Sequence, residues 1–157
     1  MLANKRRSTI LCTICGRKKD PAAGLLPALR RYRSNRIARA AALARSARMP
    51  LIILSGKFGP LWADAPIPDY DRLLLPRDVP RVRRLIASFL RNNGIGSVNY
   101  LLPDPALDPK VVPYLRAMAE GARDAGAELR LFLLPPFPRV EDLREVRSKK
   151  SEVRSEK

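Results

Sequence analysis

Ser8-Thr9-Ile10-Leu11-Cys12-Thr13-Ile14-Cys15 and, further on, Leu51-Ile52-Ile53-Leu54-Ser55 are the two stretches that decide the fold. Both are rich in apolar and β-branched residues without alternation, the look of strands covered on both faces. Between them, a helix begun at Pro27 would mix Arg33 and Arg36 with its apolar arc, whereas one begun at an N-cap Ser34 aligns Ile37, Ala40, Ala41, Ala44 and Ala47. That face is small, so the helix is expected to pack closely on a sheet.

The same reading extends downstream. Val82, Leu85, Ile86, Phe89 and Leu90 recur at helical spacing within 78–93 and stop at Asn93-Gly94. Ser97 to Leu102 reads as a third strand. A helix follows over 111–125 with Val112, Leu115, Met118, Ala119 and Ala122 turned inward, and Glu128 to Leu134 is a fourth strand. Leu61 to Pro76 reads as a long proline-rich loop. The order β-α-β-α-β-α-β requires parallel strands joined by crossovers, hence an α/β layered fold in a single domain over 8–138. A basic arm over 1–7 and a charged tail over 139–157, read as mobile with a frayed helix as the alternative, flank it.

At 157 residues the chain has the length of one domain, and 46% hydrophobic composition supplies a core without disulfides. No apolar run approaches the ~20 residues of a membrane span, and no cleavage site follows the basic start, so a cytoplasmic protein without membrane partners is expected. There is no histidine, which excludes imidazole chemistry and any Ser-His-Asp triad within the chain. Cys12 and Cys15 alone cannot complete a zinc site, and no metal or cofactor is expected.

The charge is lopsided. Residues 1–48 hold 13 Lys and Arg against Asp20 alone, 13 − 1 = +12 of the formal net charge of +16. A one-sided field of this kind attracts polyanions, and nucleic acid (tRNA, rRNA or DNA) is the expected partner. Two loops at carboxyl ends of strands, where α/β sheets gather ligands, join glycine to lysine: Cys15-Gly16-Arg17-Lys18-Lys19 and Ser55-Gly56-Lys57-Phe58-Gly59. Small residues admit an anion to the backbone and lysine neutralises it. Cys15, at a strand end beside Arg17 and Lys18, is the better nucleophile candidate, whereas Cys12 inside the strand reads as core. Asp64, Asp69 and Asp71 are either acid, base or metal ligands or turn residues among prolines.

Ile53-Leu54-Ser55-Gly56-Lys57-Phe58-Gly59, followed by Ile67-Pro68-Asp69-Tyr70-Asp71, resembles the Leu-Ser-(small)-Lys-Tyr-Gly…Pro-Tyr-Asp signature of a bacterial and archaeal family of unknown function related to the peroxide-stress protein YaaA. Cys15 with Arg17 and Lys19 is similar to that family's Cys-Ser-Lys-Ser-Lys loop, and Tyr32 with Ser34 to its Tyr-x-Ser. The resemblance covers roughly 8–135 and implies an α/β fold with a cationic pocket and association with DNA. A more distant kinship, to the central domain of archaeosine synthase, implies action on a deazaguanine base.

Three functions follow as expectations. In the first, Arg17, Lys18, Lys19, Arg30, Arg31 and Arg33 meet phosphates of a nucleic acid, and a pocket of Cys15, Ser55, Lys57, Tyr70 and Asp71 accepts a base or nucleotide, Tyr70 stacking on it. Gly16, Lys19, Tyr32, Ser34, Gly56 and Gly59 complete that pocket. In the second, the chain modifies a base, with Cys15 as nucleophile or Asp71 as general base and Lys57 holding developing negative charge. In the third it is a structural ribonucleoprotein subunit.

Overall fold

The computed structural model describes residues 7–144. Of the expected basic arm only Arg7, and of the expected tail only 139–144, fall among them; the rest of both lies outside the described residues.

The chain is α/β. Strand β1 (Ser8–Ile14) is followed by the short strand β2 (Leu26–Pro27), a single-turn helix α1 (Ala28–Arg31) and helix α2 (Asn35–Ala47). Strands β3 (Leu51–Ser55), β4 (Gly59–Trp62) and β5 (Pro66–Ile67) come next, then helix α3 (Val79–Asn92), strand β6 (Ile95–Pro103), helix α4 (Val112–Asp124) and strand β7 (Glu128–Leu134). The five-stranded sheet has the order β4-β3-β1-β6-β7. β1 runs parallel to β3 and β6, and β6 to β7; β4 alone is antiparallel.

Alternation along β1 fills both layers. Ile10, Cys12 and Ile14 pack with Val82, Ile86 and Leu90 of α3 and Ala117 and Met118 of α4, while Leu11 meets Ala40, Ala44 and Ala47 of α2 on the other face. The Ser34 hydroxyl accepts the Ile37 amide at 3.2 Å, and Ile37, Ala40, Ala41, Ala44 and Ala47 are buried as their spacing predicts.

Four local expectations are corrected. The segment after β3 is not all loop: Gly59–Trp62 returns as an edge strand through a three-residue connection, with Gly59 at φ +75° and Pro60 where an edge tolerates a missing N–H. Within the loop expected from 16 to 27, Leu26–Pro27 pairs with Pro66–Ile67. The buried residues of α4 are Pro113, Tyr114, Ala117, Met118, Gly121 and Ala122, so Met118 and Ala122 point in as expected but Val112 and Ala119 are turned out. Residues 140–144 take the helical alternative of the expected tail, and the turn they form is docked, not mobile, burying Leu143 against the α2 layer.

The topology fixes where a ligand can sit. From β1 the chain crosses to β3 on one side, and from β6 to β7 on the other, so connections leave the neighbouring carboxyl ends of β1 and β6 in opposite directions. A crevice opens there, the switch point at which open α/β sheets bind ligands.

Candidate functional site

A cavity of ≈ 490 Å³ occupies that crevice. Its floor is the end of β1, Ile14 to Arg17; Asp71–Leu73 forms one wall, and Pro103 with the 108–111 turn and Tyr114 forms the other. Five basic side chains line it, Arg17, Lys19, Arg36, Arg72 and Lys110, against Asp71 and Asp108.

Two residues from opposite layers fix the end of β1, and neither is among the sequence-predicted site residues. Arg36, in the first turn of α2, donates to Thr13 Oγ1 at 2.7 Å, to the Ile14 carbonyl at 2.7 Å and to the Cys15 carbonyl at 3.2 Å. Burial lowers its pKa, opposed by the negative charge that Cys15 would carry. From the α4 side, the Tyr114 hydroxyl lies 3.5 Å from Cys15 Sγ and accepts the Leu74 amide at 3.1 Å. With that lone pair engaged, its proton is free to be donated to sulfur. Cys15 therefore faces the cavity from between a clamped backbone and a phenol.

Beside the cavity lies a chain of hydroxyls. Ser55 Oγ accepts the Lys57 and Phe58 amides, each at 3.1 Å, which closes the turn after β3 and leaves its proton for Tyr70 Oη at 2.8 Å. Tyr70 in turn donates to Tyr32. Burial pushes both phenols well above their ordinary range, and proximity to Cys15 adds to this. The Lys19 ammonium sits 4.6 Å from the centre of the Tyr70 ring, and Phe58 packs edge-on against the same ring at 5.1 Å. Tyr70 is thus a covered strut, not a free stacking platform.

Cys15, Gly16, Arg17, Lys19 and Asp71 are brought together on the cavity. Lys57 is not: it is exposed, and its ammonium lies over the Phe58 ring at 5.2 Å, outside the cavity lining. Gly56 and Gly59 serve packing instead of an anion. A Cβ on Gly56 would meet the Leu74 amide nitrogen at 2.7 Å and the Arg72 carbonyl at 2.8 Å, so glycine lets the 72–74 wall lie against the β3 turn. Gly59 abuts Leu85 at the start of β4. Ser34 is spent on the α2 cap, and Tyr32 is buried.

Among the predicted phosphate contacts, Arg31 is overturned. It is completely buried, and its guanidinium donates to the carbonyls of Asp20 (2.7 Å), Ala22 (2.8 Å), Gly24 (2.6 Å) and Ile67 (3.2 Å). It staples the 20–24 loop to β5 and cannot reach solvent. Arg33 is exposed but pairs with Asp20 at 3.5 Å. Arg17, Lys18 and Arg30 are exposed. Cys12 is inert, since burial pushes its thiol far up. Among the described residues no group of His, Cys, Asp or Glu is arranged to hold a metal, and no helix is long and apolar enough to cross a membrane.

Fold and site together define a doubly wound α/β protein with a thiol-bearing cationic cavity at its switch point. No family model, curated protein or solved structure matches the chain.

Proposed function

We propose that this chain binds nucleic acid and draws one nucleotide unit of it into the switch-point cavity. The observation that carries the reading is the convergence of Arg17, Lys19, Arg36, Arg72 and Lys110 on a single cavity that also has apolar walls at Ile14, Leu73 and Val111. Cations suit the phosphate and the apolar walls suit the base. Arg36 and Arg72 are held by protein partners and supply field, whereas the side chains of Arg17 and Lys110 have no partner among the described residues and are placed to contact phosphate. The concentration of charge in residues 1–48 and the resemblance to the YaaA-related family point the same way.

The test is a fluorescence-anisotropy titration against tRNA, single-stranded and duplex DNA at low and raised salt. Affinity should fall steeply as salt rises, and Arg17→Ala with Lys110→Ala should flatten the log–log slope by about 1–2, one for each phosphate no longer neutralised. Absence of binding at low salt would remove the reading.

A second reading, base modification with Cys15 as nucleophile, is favoured by the Tyr114 hydroxyl directed at its sulfur. Asp71 then stands in the cavity as the base candidate, and the charge-holding role expected of Lys57 passes to Arg36. Cys15→Ala that binds nucleic acid normally but abolishes an identified host modification would select it.

A further inference from the structure

The two edges of the sheet are treated differently. β4 is a four-residue strand broken by Pro60, a protected edge. β7 has seven residues and no proline, and its only strand partner among the described residues is β6. On the α2 side β7 is covered: Phe132 and Leu134 pack with Leu143, and Arg130 donates to the Asp142 carbonyl at 2.7 Å. On the α4 side, Leu131 and Leu133 remain 45% and 43% exposed.

α4 continues this apolar surface. Glu120 and Asp124 reach Arg83 of α3, so the flank of α4 carrying Val112, Leu115 and Ala119 is turned away from α3, toward the β7 edge. Leu107, 81% exposed, lies in the turn beyond β6. Exposed apolar residues beside a strand edge that carries no further strand among the described residues are the chemistry of an association surface.

We propose that its occupant is a second copy of the chain, with β7 pairing antiparallel to its own symmetry mate about a two-fold axis at Leu131, so that the sheet runs continuously through both copies. Charge selects this surface. Residues 104–134, which build it, hold 4 basic and 5 acidic residues, 4 − 5 = −1, in a chain of +16, so two copies meet here without the repulsion their other faces would impose. Register selects the axis. Centred on Leu131, Leu129 faces Leu133 and Arg130 faces Phe132, whereas a shift of the centre to Arg130 would oppose two arginines. The same axis sets the Val112, Leu115 and Ala119 flanks of the two α4 helices side by side on one face. The rest of the chain is poorly suited to cover the patch: 8 of residues 145–157 are charged, and the described chain leaves on the α2 side, where Arg144 donates to the Ala47 carbonyl.

The test is sedimentation equilibrium of the full chain from about 1 to 100 µM, the range in which an interface of modest size reports. The expected species at the upper end has twice the 17.6 kDa chain mass. Leu131→Lys with Leu133→Lys should return it to the single-chain mass with an unchanged circular dichroism spectrum. In a Cys15→Ser background, Leu131→Cys should form an intermolecular disulfide and Leu129→Cys alone should not, because only the residue on the axis faces itself. A wild-type chain that stays at 17.6 kDa throughout, a double-lysine variant that still doubles, or cross-linking at 129 instead of 131 would each overturn the proposal.

Discussion

The Tyr114 hydroxyl lies 3.5 Å from the Cys15 sulfur and takes the Leu74 amide as its donor, so one phenol ties the 72–74 wall, α4 and the end of β1 to the same point of the cavity. The thiol is held there as part of the lining, at the place where the two halves of the sheet diverge.

Selective alkylation follows from the different surroundings of the two cysteines. Native protein treated with iodoacetamide should take one label, at Cys15, and a saturating polyanion should slow that labelling. Cys12 is fully buried, and burial holds its thiol protonated, so it should react only on unfolding. Intact mass and peptide mapping read the outcome. Cys12 labelled first would contradict the packing of β1.

Arg31 should behave as a structural residue and not as a phosphate contact. Arg31→Ala leaves four carbonyls without their charged donor and should cost at least about 3 kcal/mol in urea unfolding. Arg31→Lys should recover only part of this, because an ammonium lacks the guanidinium fork. For protein that remains folded, the salt slope of nucleic-acid binding should match wild type. A slope reduced by about one would mean that Arg31 does meet phosphate.

The parts of the molecule that were legible in the sequence are those whose signal is local. Ser34 caps α2 because a hydroxyl three residues before Ile37 can reach its amide, and the alanine face after it has no other place to go than a sheet. β4 escaped because four residues with a glycine and a proline carry no strand pattern; its pairing with β3 makes it a strand. Of the apolar face expected on α4, Met118 and Ala122 are buried and Leu115 packs at the core's margin, whereas Val112 and Ala119, equally apolar, lie on the flank that borders the β7 edge. At the site, Cys15 and the glycine-lysine loops were visible as motifs. Tyr114 was not, since it touches Cys15 across 99 residues of chain, and Arg36 was one arginine among many. A buried arginine such as Arg31 is rare enough that exposure was the natural expectation.

Gly56 links the loop motif to the cavity. Adding a methyl group there forces it against the Leu74 amide nitrogen and the Arg72 carbonyl, backbone atoms that cannot swing aside. Gly56→Ala should lose about 1–3 kcal/mol and push the Asp71–Leu73 wall from its place, weakening nucleic-acid binding along with stability. Calorimetry and the anisotropy titration read the two effects. A variant with wild-type stability and binding would show that the wall is free to yield.

Tyrosine ionisation should be delayed to alkaline unfolding. The chain has four tyrosines, Tyr32, Tyr70, Tyr100 and Tyr114, and burial raises the folded pKa of every one above the unfolded value of about 10. A folded pKa above the unfolded one means that the native state binds more protons between the two values. The contribution of these phenols is therefore fully present below about pH 10 and is lost as pH rises beyond it toward the folded values. Absorbance at the tyrosinate band should stay flat through the pH at which free tyrosine titrates, then rise in one cooperative step together with loss of helical circular dichroism. Ser55→Ala tests the hydroxyl chain in the same measurement. It removes the proton given to Tyr70 as well as the acceptor for two turn amides, so the step should move to lower pH through lost stability while remaining cooperative. A non-cooperative tyrosinate signal near pH 10 in the folded wild-type protein would show that at least one of the four phenols is open to solvent in the native state, contrary to their burial.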